Sequence, residues 1–304
     1  MSERSEPGLV PSPGDPGVPG GPASGGRAKR AGRGWRALAG DARIGALLLI
    51  VIVGAAVAAP LISPFPPNQI HQDAIFSGPT WPYLLGTDEL GRDLLSRLLY
   101  GARLSLIVAG GAVLLAMVLG TVWGLAAGLF GRWVDAVLMR LVDGLLAIPQ
   151  FLLALLLVAA LGSSVPLLIV IIGLLNAPVV ARLARSALLD EMSKDYAVAV
   201  AGTGARPIRL VWREFLPNVA PPLMVQAALV GAYAILTEAG LSFLGLGVEP
   251  PRASLGSLLL QGYQNLYNSQ LYAVWPGLVI VAVVWSLNVL GDRLQEVFDP
   301  RGRR

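Results

Sequence analysis

Six apolar segments, each close to the roughly 20 residues that a helix needs to cross a bilayer, dominate this chain. They lie near 43–63, 103–129, 145–161, 166–188, 219–240 and 273–290. Such a pattern can bury its apolar surface in a large core or in lipid, and composition decides between them. Of 304 residues, 55% are hydrophobic and 14% charged, with a mean hydropathy of +0.65. A soluble domain carries about 25% charged residues, so this chain has too few to cover a globule of its size. The sequence predicts an all-α polytopic membrane protein. It has no cysteine, which excludes a disulfide framework, iron–sulfur clusters, cysteine nucleophiles and thiolate zinc sites. One histidine, His71, leaves little for a histidine metal site or a Ser-His-Asp triad. No catalytic residue, metal site or bound cofactor is expected.

Residues 1–40 form a different region. They are rich in Pro, Gly and Ser with no apolar periodicity, the composition of a disordered tail. The basic residues at its end (Arg27, Lys29, Arg30, Arg33 and Arg36) suit anionic lipid head groups. The positive-inside rule orients the remainder, 41–300. With the N-terminus in the cytoplasm, segments on the inside carry 19 Lys and Arg and those outside carry 4. Both termini are therefore expected in the cytoplasm, with long external segments at 64–102 and 241–272 and one long internal loop at 189–218.

The internal loop has the look of a working part, since long loops in compact proteins are usually functional. The residues 196–201 favour a short helix, Gly202 and Gly204 supply a permissive turn, and Pro207 suits the start of a second helix that Pro217 would stop. Two readings are open on the residues alone. A small-residue knob of Ala197, Ala199 and Ala201 enters a groove on another protein, or the segment lies on lipid as an interfacial helix.

A resemblance separates these readings. The string from Asp195 through Pro217 is similar to the "EAA" loop of bacterial ABC-importer permeases, with Gly204 at its glycine position and Leu216-Pro217 at its end. Val198, Val200 and Glu214 depart from that pattern. Leu85-Gly-Thr-Asp-Glu-Leu-Gly-Arg-Asp-Leu and Glu238-Ala-Gly-Leu-Ser-Phe-Leu-Gly-Leu-Gly resemble two segments of the C-type permeases of dipeptide, oligopeptide and nickel importers. The resemblance implies an ABC importer type I permease fold of about six spans in a bacterial inner membrane. Implied partners are a second, B-type permease, two ATPase subunits that bind Mg-ATP, and an extracytoplasmic substrate-binding protein. It further implies that Asp195, Tyr196, Ala197, Ala199, Gly202, Gly204, Ala205, Glu214, Leu216 and Pro217 belong to a loop coupled to an ATPase. The sequence has no Walker A string, so ATP hydrolysis falls to separate subunits and the chain itself is not expected to be an enzyme.

Short peptides are the cargo that the resemblance implies, with nickel chelates, glutathione or another small solute as the alternative. A secondary transporter, the competitor from another class, usually shows midplane charge and paired repeats of broken helices. Neither is evident here.

At the outer face, Gly86, Asp88, Gly91, Arg92, Asp93 and Arg97 read as a charged mouth on which a binding protein docks, or else as a satisfied ion-pair network. His71 reads as a solvated loop residue. Glu238, with Ser242 one turn on, lies near the outer end of the fifth span. It reads as a gate residue or as an anchor accepting backbone N–H bonds from the 241–247 turn. Asn176 reads as an interhelical hydrogen-bond partner, and Gly110, Gly111, Gly120, Gly124 and Gly128 as a stripe for close helix packing.

Overall fold

The computed structural model describes residues 25–197 and 211–298. The chain forms two units, Met1–Leu38 and Ala39–Arg304, and the second holds the spanning helices. Helix α1 (Gly25–Val57) is followed by the single turn α2 (Ala59–Ile62) and an irregular segment. Then come α3 (Leu94–Leu129), α4 (Arg132–Leu146), α5 (Gln150–Leu161) and α6 (Val165–Met192). A π-helical turn, Val211–Phe215, leads into α7 (Leu216–Phe243), and α8 (Leu255–Gln264) and α9 (Gln270–Phe298) complete the described chain. Helix α1 begins inside the segment that composition marks as disordered, where Ala, Arg and Lys are good helix formers. Residues 1–24 lie outside the described residues.

Among the described residues, five segments are long and apolar enough to cross a membrane: Gly40–Val57, α3, α6, Arg213–Phe243 and α9. The third expected span, 145–161, is different. Helix α5 has 12 residues, about 18 Å of rise against about 30 Å of hydrocarbon. It joins α4 at an 83° bend, and only the pair together makes a sixth span. Sequence periodicity explains the miss. The expected internal loop 130–144 is helical because Arg132, Asp135, Arg140 and Asp143 share one side, opposite Val134, Val137, Leu138 and Leu141. The break follows from Pro149, which disfavours helical backbone at the residue before it.

Helix α3 also starts earlier than hydropathy suggests, at Leu94 rather than near 103. Asp93 caps it by accepting the Ser96 amide at 2.8 Å. The first three turns carry Arg97 and Arg103, which hide them from a hydropathy scan. At 36 residues, α3 is about 54 Å long.

Small residues set the packing of α3 on α6. A Cβ on Gly120 or Gly124 would overlap the Ala177 or Ala181 carbonyl of α6, one on Gly128 would press on Leu188, and Gly173 of α6 faces Leu115 of α3. Apolar burial gives little drive between helices already in lipid, so this close van der Waals contact has to hold them. Gly110 has no neighbour within 4 Å, so the glycine stripe serves two faces of α3. Two of the three apolar clusters among the described residues lie along this interface. One joins Val108, Ala112, Leu168, Ile172, Ile235, Leu241 and Leu255 near the expected outer half. The other joins Leu188, Phe215, Val219 and Leu223 near the internal loop.

Candidate functional site

Every residue proposed for the charged mouth is buried. The Asp88 carboxylate accepts the Leu90 and Arg92 amides at 2.9 Å and the Arg92 Nε at 2.6 Å. Arg97 Nε lies 3.4 Å from the same carboxylate. Arg97 Nη2 donates to Gln261 Oε1 on α8 at 3.0 Å, and the Tyr272 hydroxyl of α9 donates to that oxygen at 2.8 Å. Asp93 accepts the Ser96 amide and, at 2.6 Å, the Ser96 hydroxyl. Exposure is 0% at Asp88 and 1% at Asp93 and Arg97. Asp88 and Asp93 organise the start of α3, and Arg97 ties that helix through Gln261 to α8 and α9, so the docking reading is corrected to an internal network. Burial requires it, because an unpaired charge away from water is costly.

The two glycines of this segment serve the same fold. Gly86 and Gly91 have φ of +87° and +74°, and a Cβ on Gly91 would overlap the His71 carbonyl. His71 is likewise no solvated loop residue. Its ring packs edge-on to Phe65 at 5.1 Å and Tyr83 at 5.5 Å.

Glu238 and Ser242 are 0% and 2% exposed. Glu238 Oε2 accepts the Ser105 hydroxyl of α3 and Oε1 accepts the Ser242 hydroxyl, each at 2.7 Å. Ser105 Oγ in turn accepts the Leu255 amide at the start of α8, at 3.1 Å. The carboxylate therefore joins three helices, and both of its oxygens are occupied by the chain's own donors. A gate reading needs a carboxylate that cargo can reach, and this one is enclosed. The anchor reading expects backbone N–H donors from the 241–247 turn, whereas the donors are the hydroxyls of Ser105 and Ser242. Gly247 completes the turn by lying against Ser242 so closely that a Cβ would overlap it. Asn176 also differs from expectation, donating at 2.8 Å to Ile172 O in its own helix.

At the other end, the described part of the internal loop shows how its base is held. Glu191, at the end of α6, accepts from both Lys194 Nζ and the Tyr196 hydroxyl. Asn218, at the start of α7, donates to the Tyr196 hydroxyl at 3.2 Å and to Glu214 O at 3.0 Å. Tyr196 thus ties the two helices that leave the loop. Burial first, and then its bond to Glu191, raise the Tyr196 hydroxyl above the usual tyrosine range, and Glu191 holds the Lys194 ammonium above the usual lysine range.

Ala197 is 3% exposed, packed among Phe215, Val219 and Leu188. It is corrected from a projecting knob to an anchor of the loop's base. Pro217 opens α7 instead of stopping a preceding helix, as suits a residue whose missing N–H has no partner in a first turn. Asp195 is exposed, and Glu214 and Leu216 are half-buried. Ala199, Gly202, Gly204 and Ala205 lie outside the described residues. On the same end of the bundle, Arg185 pairs with Asp135 and Arg182 with Asp143 at 2.7 Å. These pairs strap amphipathic α4 to α6.

Sequence reasoning missed Ser105, Gln261 and Tyr272. A signal exists for the first. Arg97, Gly101, Ser105, Val108 and Ala112 follow helical spacing on the buried face of α3, where a polar residue needs a partner. Nothing local marks the other two, since Gln261 pairs with Tyr272 on the next helix and with Arg97, 164 residues away.

Comparison with known proteins agrees with this architecture. The profile of the family described as "Binding-protein-dependent transport system inner membrane component" matches residues 120–304. A di/tripeptide transport system permease protein of Pseudomonas aeruginosa is 39% identical over 263 residues, covering 84% of this chain and 87% of the relative. A putative peptide transport system permease protein of Brucella suis is 40% identical, covering 85% and 87%. The dipeptide transport system permease protein of Haemophilus influenzae is 36% identical, covering 86% and 90%. Among solved structures, the inward-facing methionine ABC transporter MetNI has a chain that superposes with a TM-score of 0.56 at 20% identity, covering 68% of this chain and 98% of that one. That likeness concerns the fold. Matched by the family profile over more than half its length, and by relatives along most of it, the chain belongs to the inner membrane components of binding-protein-dependent transport systems.

Proposed function

We propose that this chain is one of two permease subunits of an ATP-driven importer of short peptides, oriented with both termini in the cytoplasm. The observation that carries the cargo class is the 39% identity, along 84% of the chain, to a protein named as a di/tripeptide permease. In this reading a binding protein delivers peptide outside, and a second permease completes the pathway. Two separate ATPases bind Mg-ATP and hydrolyse it.

Loop 189–218 is the lever. Asp195 offers an exposed acidic side chain at its start, and Ala199, Gly202, Gly204 and Ala205 are the further residues assigned to ATPase coupling. Closure of the ATPases displaces the loop. Its base is tied to both α6 and α7 through Glu191, Tyr196 and Asn218, so the two spans move with it and the pathway changes the side on which it opens.

The test is reconstitution of the complete transporter in liposomes with a labelled dipeptide and its binding protein. Uptake is expected to require ATP inside and to be indifferent to an imposed ion gradient. Uptake by this chain without ATPases, driven by a gradient, would overturn the reading. Because the chain lacks cysteine, a single cysteine at Asp195 paired with one on the ATPase surface tests the lever directly. A crosslink is expected, and its absence across a scan of the ATPase face would remove the docking assignment.

A further inference from the structure

A cavity of about 290 Å3 opens beside the first third of α3, lined by Tyr100, Arg103, Leu104 and Ile107 of that helix and by Arg252 and Ala253 just before α8. Both arginines are exposed. In contrast with Arg92 and Arg97 nearby, neither has a carboxylate within 4.0 Å among the described residues. Two cations thus converge on one hollow with no counter-charge supplied by the described chain.

The position along the helix says what kind of anion fits. From Leu104 to Gly131 the sequence has no charged residue, so Arg103 stands where α3 emerges from the hydrocarbon. On the same face as Arg103, at helical spacing, follow Ile107, Leu114, Val118 and Val122, exposed by 49%, 67%, 53% and 60%. The hollow is therefore the head of an apolar strip that runs down the span. A freely soluble anion would use the arginines and leave the strip idle. An amphiphile with an anionic head uses both.

We propose that this cavity binds an anionic phospholipid of the outer leaflet. Its phosphodiester sits between the guanidiniums of Arg103 and Arg252, whose planar donors match phosphate oxygens. The Tyr100 hydroxyl donates to the same head group, and one acyl chain lies along Leu104, Ile107 and Leu114. The site is independent of which cargo the transporter carries.

The experiment uses the assembled transporter, stripped of lipid in detergent and titrated with phosphatidylglycerol or phosphatidylcholine of identical acyl chains, with native mass spectrometry reading the lipid retained. Phosphatidylglycerol is expected to be retained on this subunit about tenfold better than phosphatidylcholine, since the choline cation offsets the phosphate charge that the two arginines attract. The Arg103→Gln, Arg252→Gln double variant should lose the preference. Ile107→Trp, which fills the hollow and keeps both charges, should lower retention of phosphatidylglycerol while the complex elutes as an intact assembly. Equal retention of the two lipids, or a preference that survives the double variant, would overturn the proposal. Displacement of the lipid by an equal concentration of inorganic phosphate would make it a free-anion site, and displacement by a dipeptide a cargo site. Either result also ends it.

Discussion

At the expected outer end of the bundle, Asp88, Asp93, Arg97 and Glu238 are at most 1% exposed, and the bonds of Arg97 and Glu238 run between helices. At the inner end, Asp195 stands in solvent and Tyr196 is 37% exposed, with a short chain of hydrogen bonds tying α6 to α7. The contrast is energetic as well as spatial. Buried ions tolerate only the geometry that pairs them, which fixes α3, α8 and α9 relative to one another. In the inner clasp only Glu191 is buried, while Lys194 and Tyr196 reach solvent. Pairs open to water contribute less and yield more readily, which suits the moving loop proposed above. The proposed mechanism needs both, a rigid outer frame and a compliant lever.

The strongest way to break this comparison is to remove Arg97. Arg97→Met leaves Asp88 with one cation fewer and cuts the link to Gln261 and Tyr272. Breaking a buried pair costs about 3–5 kcal/mol, so the purified transporter should melt well below the wild type or fail to assemble. Asp195→Ala, at the exposed end, should change stability by less than about 0.5 kcal/mol. Equal melting of the two variants would end the distinction between frame and lever.

A smaller loss is expected from Gly124→Val in the interface between α3 and α6. The added Cβ would overlap the Ala181 carbonyl and crowd Ala184, and overpacking typically costs about 1–3 kcal/mol. Gly110→Val, open to at least 4 Å around the same helix, is the matched control and should melt like the wild type. Thermal melts of the two variants in detergent decide it.

Glu238→Gln sharpens the assignment of the frame. The amide can still accept one hydroxyl and can turn its NH2 toward the other serine, so about 1–2 kcal/mol is the expected loss. Uptake of dipeptides with free and with N-acetylated amino termini should fall together. Selective loss of the free-amine cargo would restore Glu238 to the pathway.

How much of this was legible in the sequence depended on the range of the interaction. The membrane class, the family resemblance and the close packing of α3 on α6 rest on composition, on strings and on glycine spacing, all local properties. The bent span was missed because a hydropathy window averages the polar side of α4 with its apolar side. The charged mouth was readable as a network or as a surface, and nothing in residues 86–97 says which, because the deciding partners are Gln261 and Tyr272. Glu238 had the same difficulty, with Ser105 lying 133 residues away. Local chemistry identified the residues that matter here, and only the fold could say which way they face.

The subtlest test concerns the clasp at the base of the loop. Tyr196→Phe removes the hydroxyl that donates to Glu191 and accepts from Asn218. Because the ring and its packing remain, stability should change by no more than about 1 kcal/mol. Coupling should suffer more, with ATP hydrolysis continuing while uptake per ATP falls severalfold. The pH dependence gives an independent reading. Tyr196 and Lys194 both titrate in the folded chain above their ordinary values of 10.0 and 10.5, so folding favours their protonated forms. The clasp's contribution is therefore complete below about pH 10 and is lost as pH rises through the higher folded values. In wild-type proteoliposomes, uptake per ATP should decline across that alkaline range, with one component from Tyr196 and one from Lys194. Tyr196→Phe should start lower and keep only the lysine component. If both proteins follow one alkaline profile from the same starting level, the hydroxyl is not what ties the loop to the spans, and the compliance of the inner end has another source.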